Sequence, residues 1–333
     1  MNATAVDVRH LTCRYAGRET PAVDDVSFAC DVGQTLALVG PNGGGKTTLF
    51  RVLATLLPPT SGTAAVLGFD VHTDRDAVRS KLGVVFQNPA LDKELTAREN
   101  LAYHARLAGI DRRDANAAAD AWLERVALAD RGADVVKTLS GGMRRRLEIA
   151  RSLLAEPDVL LMDEPTVGLD PGARRDVWKL VRHLRESSGR PMTVVVSTHL
   201  LDDLAADAAD ADRIVLIDAG RIVADDTPDA LRQRATGDVV RLAPRDPAML
   251  DDLAECLRPH GNVTNGDGAL TLRVPDGQTV LSSLMASDDL PPMRECSVSA
   301  ATLDDVFMTL TGRGLSSDVY SRRSITNGSP EAC

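Results

Sequence analysis

The segment GPNGGGKTT, residues 40 to 48, has the residue types and spacing of a phosphate-binding loop. Gly40, Gly43 and Gly45 allow the backbone to wrap closely around an anion. Lys46 reaches the outer phosphates, and the Thr47 hydroxyl ligates magnesium. The predicted contacts are Gly40, Pro41, Asn42, Gly43, Gly44, Gly45, Lys46, Thr47 and Thr48. The segment therefore predicts a site for a nucleoside triphosphate and Mg²⁺, and a plain glycine-rich turn is the disfavoured alternative.

Two acids end the apolar run VLLMDE, residues 159 to 164. A buried carboxylate loses its hydration, so acids at the end of a buried strand are expected to serve a metal or a reaction. We expect Asp163 to hold magnesium, directly or through water, and Glu164 to orient and activate an attacking water. The alternative is a strand end capped by ordinary acids.

His199 ends a third apolar run, TVVVSTH. A lone histidine there is often a hydrogen-bonded structural residue. Open α/β folds, however, bind their ligands at the carboxyl ends of parallel strands. We therefore favour a contact between His199 and the terminal phosphate.

A second anion site is predicted at LSGGMRRRLEIA, residues 139 to 150. Ser140, Gly141 and Gly142 precede a basic amphipathic helix, and a helix start binds anions through its main-chain N–H groups. The alternative is a capped amphipathic helix with an apolar stripe and a solvated basic face. That stripe is Leu147, Ala150 and Leu154, and the basic face is Arg144, Arg145 and Arg146.

The elements that must position these residues follow an alternating pattern over residues 1 to 235. Short β-branched runs alternate with longer helical patterns, which predicts an α/β domain with a mostly parallel sheet. The runs at 36–40, 159–164 and 193–199 are continuously apolar, as is typical of strands covered on both faces. The segment 213–226 predicts a hairpin that turns at Ala219 and Gly220.

A second, smaller domain is predicted for residues 236 to 312. Its pattern of strands and helices has the order βαββαβ, which indicates a small α+β ferredoxin-like domain. A final helix carries Leu303, Val306, Phe307 and Leu310 at helical spacing, with Thr302 as its cap. Residues 313–333 are polar and predict a disordered tail.

Composition excludes several classes of protein. The chain has 38 Lys and Arg against 48 Asp and Glu, a net charge of −10, which disfavours nucleic acid as a partner. Five cysteines without a CxxC pair indicate neither a disulfide framework nor a zinc site. No run of roughly 18 apolar residues occurs, so we expect neither a signal peptide nor a membrane span. We therefore expect a cytoplasmic location.

With these motifs in order, residues 1 to about 235 resemble the nucleotide-binding subunits of ABC transporters. GPNGGGKTT is similar to the Walker A motif, LSGGM to the signature and LLMDEP to Walker B. Gln87 in VVFQNPALD resembles the Q-loop, Asp170 in VGLD the D-loop, and His199 the switch histidine. The resemblance implies a P-loop ATPase with a mixed sheet and a helical signature subdomain, with ATP and Mg²⁺ as its ligands.

The resemblance also assigns roles to single residues. It implies that Lys46, Glu164 and His199 are catalytic. It adds Gln87 to Thr47 and Asp163 as a magnesium contact. Tyr15 fits the aromatic residue that stacks on adenine, although a lone tyrosine serves equally well in packing.

Two partners follow from the resemblance. In ABC transporters two ATPase domains sit head to tail, so Ser140, Gly141 and Gly142 would bind the γ-phosphate of ATP held by a second copy, most simply in a homodimer. A separate membrane permease would hold the chain at the inner face of the membrane. Gln87 would signal to that permease, and ELTARENL, with Glu94, Glu99 and Asn100, is the expected contact surface.

The chain up to about residue 312 resembles the daunorubicin and doxorubicin resistance type of exporter ATPase. LSGGMRRRL, with Met143 where glutamine is widespread, and TLDDVFMTLTGR carry this resemblance. It implies export and leaves the cargo open between a drug, a lipid, a polysaccharide and an ion-linked substrate. LDDVF alone also fits a helix that closes the small domain. A soluble ABC ATPase acting on ribosomes or DNA is the alternative, disfavoured by a single ATPase domain without a heptad run.

Overall fold

The computed structural model describes residues 3–187, 189–199, 211–234, 237–266, 268–286, 290–300 and 302–312. The chain divides into two compact units between Thr227 and Pro228. The predicted boundary at residue 235 lies one short helix later in the chain. That helix, Pro228–Arg234, belongs to the second unit and contacts its last helix. No helix in the described ranges is long and apolar enough to cross a lipid bilayer. The predicted tail, 313–333, lies outside the described residues.

The strands of the first unit form two sheets. They are β1 (Thr4–Cys13), β2 (Val23–Asp31), β3 (Thr35–Val39), β4 (Ser61–Val66), β5 (Phe69–Asp70), β6 (Leu82–Val85), β7 (Val159–Asp163), β8 (Thr193–Thr198), β9 (Arg213–Asp218) and β10 (Arg221–Asp226). An antiparallel sheet has the order β2-β1-β4-β5, and the other sheet has the order β10-β9-β3-β8-β7-β6.

The second of these sheets is mixed. Strands β9, β3, β8, β7 and β6 are parallel, and β10 pairs antiparallel with β9. The turn between β9 and β10 has positive φ at Ala219 and Gly220, so the predicted hairpin is confirmed. Every residue of β3, β7 and β8 is buried, as their apolar runs predict. The carboxyl ends of these three parallel strands therefore lie at one edge of the sheet.

Helices cover the sheets and form a separate cluster. They are α1 (Lys46–Leu53), α2 (Arg75–Lys81), α3 (Ala97–Leu107), α4 (Ala115–Arg125), α5 (Gly141–Leu153) and α6 (Pro171–Ser187). Helices α3, α4 and α5 pack around Leu101, Leu123 and Leu147 in a core distinct from that of the sheets. Phe50 of α1 is fully buried in the sheet core, and burying such a side chain contributes about 1.5–3 kcal/mol. The predicted mixed sheet with a helical subdomain is confirmed.

The second unit contains a four-stranded antiparallel sheet. Its elements are α7 (Pro228–Arg234), β11 (Asp238–Pro244), α8 (Leu250–Leu257), β12 (Asn262–Gly266), β13 (Ala269–Val274), α9 (Gly277–Met285), β14 (Met293–Ala300) and α10 (Leu303–Thr311). The sheet order is β12-β13-β11-β14. The chain order βαββαβ between β11 and β14 fits the predicted ferredoxin-like arrangement.

Candidate active site

The phosphate-binding loop connects β3 to α1. A Cβ atom at Gly40 would lie 2.1 Å from the Ile217 carbonyl oxygen, so the loop passes β9 too closely for any side chain. Gly45 has φ 104°, and a Cβ atom there would lie 2.5 Å from the Ala22 carbonyl oxygen. Both positions therefore require glycine. Gly45 also leads into α1 without a side-chain cap, so the first N–H groups of this helix are suited to an anion.

Lys46 is folded against this loop. Its Nζ donates hydrogen bonds to the carbonyl oxygens of Gly40, at 2.8 Å, and Pro41, at 3.0 Å. The same Nζ lies 3.2 Å from Oε1 of Glu164. Burial lowers the pKa of Lys46, and Glu164 opposes that shift. The predicted phosphate ligand and the predicted catalytic acid are thus paired in this structure.

Glu164 has an unusual backbone conformation. Its φ of 48° lies in the left-handed region, which costs a non-glycine residue about 1–2 kcal/mol. Its N–H donates to the Ser197 hydroxyl at 3.0 Å and to the Ser197 carbonyl oxygen at 3.1 Å. These bonds from β8 hold the backbone so that the Glu164 carboxylate faces Lys46.

His199 contacts the other oxygen of this carboxylate. Its Nδ1 lies 3.1 Å from Oε2 of Glu164, a distance at which a protonated imidazole forms an ion pair. Burial would raise the pKa of Glu164, but the contacts with His199 and Lys46 outweigh it, and the pKa falls below its usual value of 4.5. Glu164 is therefore a carboxylate at neutral pH.

Asp163 is buried behind Glu164, with 1% of its surface exposed. Its Oδ1 accepts a hydrogen bond of 2.6 Å from the Ser197 hydroxyl. Sequence reasoning missed Ser197, because only the strand register shows that it lies directly opposite Asp163 in the parallel pairing of β7 and β8. One buried hydroxyl thus positions both predicted acids.

A cavity of about 790 Å³ lies over the loop. Tyr15, Lys46, Thr47, Gln87 and Glu164 line it. Other residues of the loop in its lining are Asn42, Gly43, Gly45 and Thr48. The volume and the polar lining suit a nucleotide.

Tyr15 is fixed at the side of this cavity. Its hydroxyl lies 3.2 Å from the Thr48 hydroxyl, and Arg51 donates to the Tyr15 oxygen at 3.2 Å. Arg18 and Arg51 also line the cavity, and sequence reasoning missed these two cations. The anchored Tyr15 ring suits contact with a nucleotide base, and the charges of Arg18 and Arg51 suit its phosphates.

The residues predicted to hold magnesium offer oxygen donors, which this hard cation prefers. Thr47 and Gln87 line the cavity, whereas Asp163 and His199 lie behind Glu164 and are not in its lining. Among the described residues, the Asp163 carboxylate accepts one hydrogen bond, from the Ser197 hydroxyl at 2.6 Å to Oδ1, so its second oxygen retains acceptor capacity. The donor set therefore fits Mg²⁺.

The signature segment stands at the start of α5. The Ser140 hydroxyl accepts a hydrogen bond from the Met143 N–H at 3.2 Å and so caps the helix. Asp170 caps α6 in the same way, accepting from the Ala173 N–H at 2.9 Å, and this bond lowers the pKa of its carboxyl. Within the described residues, neither Asp170 nor the segment Ser140–Gly142 lines the cavity of its own chain.

The basic face of α5 is only partly solvated, because Arg145 is buried whereas Arg144 and Arg146 are partly exposed. Arg144 donates to the Leu139 carbonyl oxygen at 2.5 Å. Arg146 donates to the carbonyl oxygens of Val126 and Ala127. Arg145 is buried and binds the segment around Gln87. Each of the three guanidinium groups therefore has a main-chain acceptor, while Leu147, Ala150 and Leu154 form the expected apolar stripe.

Two of the three residues expected to face a permease are exposed. Glu94 is exposed and pairs with Lys137 at 2.6 Å, and Glu99 completes the capping box of α3 with Thr96. Asn100 is 2% exposed and bonds the main chain of Asp92. The expectation that Asn100 belongs to the contact surface is therefore wrong, because its side chain holds the preceding loop.

The family model described as ABC transporter matches residues 23–167. The chain is 40% identical over 320 residues to the daunorubicin resistance ATP-binding protein DrrA3 of Streptomyces coeruleorubidus, covering 94% of this chain and 97% of that protein. It is 35% identical to the Nod factor export ATP-binding protein I of Burkholderia orbicola, covering 94% of this chain and 99% of that one.

Solved structures resemble the first unit. CbiO1 of Clostridium perfringens, part of the ABC transporter complex cbiONQ, has a TM-score of 0.62 at 26% identity, covering 69% of this chain and 91% of that one. A dimeric ATP-binding cassette in a post-hydrolysis state with ADP and phosphate has a TM-score of 0.59 at 28% identity, covering 67% and 98%.

Proposed function

The chain belongs to the ATP-binding subunits of ABC transporters and is an ATPase, and we propose that it drives an exporter as a homodimer beside a separate membrane permease. The observation that carries this proposal is the contact of Glu164 with both Lys46 and His199, where Lys46 and Glu164 line a nucleotide-sized cavity. Relatives that match almost the whole chain are named for drug resistance and for export.

Lys46 links the binding of phosphate to the exposure of the Glu164 carboxylate. Its ammonium group is held by Glu164 and by the carbonyl oxygens of Gly40 and Pro41. The phosphates of ATP compete for this cation, so Lys46 turns toward them and leaves the Glu164 carboxylate open to water. Binding of ATP thus prepares the acid for its role.

Glu164 then accepts a hydrogen bond from the attacking water. After Lys46 has turned away, the carboxylate keeps its contact with His199, which favours the ionised form that orients water. His199 steadies the carboxylate from the opposite side, and we expect it to contact the terminal phosphate when ATP is bound. When bound, Mg²⁺ offsets negative charge on the phosphoryl oxygens, and Thr47, Gln87 and Asp163 would hold it.

The signature segment acts on a second copy. Ser140, Gly141 and Gly142 do not line the cavity of their own chain among the described residues, yet they begin a helix suited to an anion. A head-to-tail homodimer places them over the γ-phosphate of the partner's ATP, with Asp170 close to the same interface. The similarity to a dimeric cassette supports this arrangement.

The permease contact lies near Gln87 and α3. Glu94 and Glu99 offer exposed acids, and α3 also exposes Tyr103, at 56%, and Leu107, at 66%, one turn apart. Exposed apolar side chains beside charged ones are common where proteins dock. The contact holds the chain at the inner face of the membrane.

The cargo proposed here is a drug or a lipid-like compound, by analogy with the named relatives. The test uses inverted vesicles that contain the chain and its co-purifying permease, with doxorubicin fluorescence as the readout. We expect ATP-dependent uptake that is lost with Glu164→Gln. Equal uptake with Glu164→Gln would contradict the motor, whereas ATP hydrolysis without doxorubicin uptake would contradict only this cargo.

A further inference from the structure

Arg145 and Glu148 form a buried ion pair one turn apart on α5. Their closest oxygen and nitrogen atoms are 3.0 Å apart, and the two residues are 6% and 1% exposed. Burial lowers the pKa of Arg145 and raises that of Glu148, while their mutual attraction opposes both shifts. The pair lies just beyond the start of the helix at Gly141.

Both members of the pair bind the segment that carries Gln87. Arg145 donates to the carbonyl oxygens of Phe86, at 2.8 Å, and Gln87, at 3.2 Å. Glu148 accepts from the Ala90 N–H at 2.5 Å. One helical turn therefore holds the backbone on both sides of the Gln87 side chain, which itself lines the nucleotide cavity.

Net stability is a weak reason for such a pair. Removing two charges from water is costly, and apolar replacements of buried pairs are often neutral or stabilising. The neighbouring Leu147 and Ile149 are already fully buried and anchor α5. The position of the pair is a better explanation. It joins the Gln87 segment, which faces the ATP of its own chain, to α5, whose start faces the ATP of the partner in the proposed dimer.

We infer that Arg145 and Glu148 are positioning residues that couple the two ATP sites of the dimer. When Gln87 moves with the ATP of its own chain, the pair moves the start of α5, and with it the amides that bind the partner's ATP. This inference rests on the proposed head-to-tail dimer. Neither Arg145 nor Glu148 is among the described residues that line the nucleotide cavity.

Arg146 provides a matched control on the same helix. Its guanidinium donates to the Val126 and Ala127 carbonyl oxygens within the helical subdomain, and the hydrogen bonds found in the described ranges include none from it to the Gln87 segment. Arg145→Lys keeps the charge but loses the planar group that reaches two carbonyl oxygens at once. Arg146→Lys makes the same chemical change away from the proposed connection.

Hydrogen exchange of the full chain tests the connection inside one protomer. The experiment compares exchange with and without ATP and Mg²⁺, at a concentration where the protein is monomeric. In the wild type and in Arg146→Lys, we expect ATP to slow exchange in residues 139–146 as well as in the phosphate loop. In Arg145→Lys, the loop should stay protected while the effect on 139–146 falls about fivefold or more. Equal protection of 139–146 in all three proteins would overturn the inference.

Steady-state hydrolysis tests the consequence for the dimer. We expect the Hill coefficient for ATP to fall from about 2 toward about 1 in Arg145→Lys, with the nucleotide Kd of the monomer within about twofold of the wild type. Glu148→Gln keeps an oxygen for Ala90 and should give the same loss, so it serves if Arg145→Lys does not fold. An unchanged Hill coefficient in both folded variants would also overturn the inference.

The two measurements separate this inference from the proposed function. A wild type that stays monomeric with ATP and shows a Hill coefficient of about 1 would contradict the dimer. Coupling between two ATP sites would then be overturned with it. The exchange data would still decide whether the Arg145–Glu148 pair connects Gln87 to α5 within one chain.

Discussion

At the scale of single residues, both carboxylate oxygens of Glu164 are contacted by basic side chains. Lys46 lies 3.2 Å from one carboxylate oxygen and His199 lies 3.1 Å from the other. In the proposed mechanism, the carboxylate becomes available to the attacking water when the phosphates of ATP compete for Lys46.

Replacing Glu164 by Gln should abolish turnover while nucleotide binding persists. The amide keeps the size of the side chain but cannot act as a base, and such a group contributes about 10²–10⁴-fold to rate. Phosphate release and binding of a fluorescent ATP analogue would measure the two properties. The exposed Glu124 offers a control, Glu124→Gln, which should hydrolyse ATP like the wild type. Full turnover by Glu164→Gln would refute the assigned role.

Replacing Ser197 by Ala should slow hydrolysis about tenfold and destabilise the chain by about 1–3 kcal/mol, because buried Asp163 and the Glu164 N–H both lose a partner. Ser197→Thr retains the hydroxyl and should recover most of the rate. The measurements are kcat, KM and urea unfolding. If Ala and Thr variants had the same kcat, Ser197 would have no positioning role.

Glu164 and Glu148 should affect acid stability with opposite signs. The pKa of Glu164 is lowered in the folded chain, so its contribution is present above the unfolded value near 4.5 and is lost as the pH falls below it. The pKa of Glu148 is raised by burial, so its cost is present at neutral pH and is relieved as the pH falls toward 4.5.

Urea unfolding at several pH values between about 7 and 3 checks the two predicted pH dependences. The stability of the wild type relative to Glu164→Gln should decrease below about pH 4.5, and its stability relative to Glu148→Gln should increase on acidification. Parallel changes in the two comparisons would show that at least one of the two shifts has the wrong sign.

At the scale of elements, the small second unit is closed by α10. Thr302 and Asp305 form a capping box at its start, and Arg273 of β13 binds the Asp305 carboxylate at 2.7 Å. Val306 and Phe307 are buried, while Met308 and Leu310 are partly exposed. The LDDVF motif therefore closes its own domain, as one of the two interpretations of the sequence expects, and leaves apolar surface beyond it.

Loss of this cap should loosen α10 without changing the ATPase unit. Thr302→Ala removes the hydroxyl that accepts from the Asp305 N–H and should cost about 1 kcal/mol, whereas Thr302→Ser should cost little. Limited proteolysis near residue 302 and ATP hydrolysis measure the two effects. Unchanged proteolysis of Thr302→Ala would mean that packing alone holds the helix.

Much of this arrangement could be predicted from local sequence. The apolar runs that end at Val39, Asp163 and Thr198 identify buried parallel strands, and the glycine spacing identifies the loop. Ser197 and the Arg145–Glu148 pair could not be assigned in this way, because their roles depend on strand register and on contacts between distant segments. The prediction that Asn100 is exposed is wrong because its burial also depends on contacts with another segment. A polar side chain in a polar stretch of sequence gives no sign that it is buried.

At the scale of the whole molecule, the relatives match both units rather than the ATPase unit alone. DrrA3 is covered over 97% of its length, and the Nod factor export protein over 99%. The second unit is therefore part of the exporter type of chain, and the alternative of a ribosome- or DNA-directed ATPase has no support in these matches. Dimer formation then becomes the property on which the proposed mechanism depends.

Analytical ultracentrifugation of Glu164→Gln with ATP and Mg²⁺ tests that property most directly. We expect a dimer with ATP and a monomer without it. Adding Gly141→Asp should abolish the dimer by placing a negative charge at the phosphate position, with the ATP affinity of the monomer unchanged, whereas the neutral Gly141→Asn should weaken the dimer much less. A monomer at every ATP concentration, or a monomer that loses ATP affinity with Gly141→Asp, would contradict a signature segment that acts on the partner's ATP.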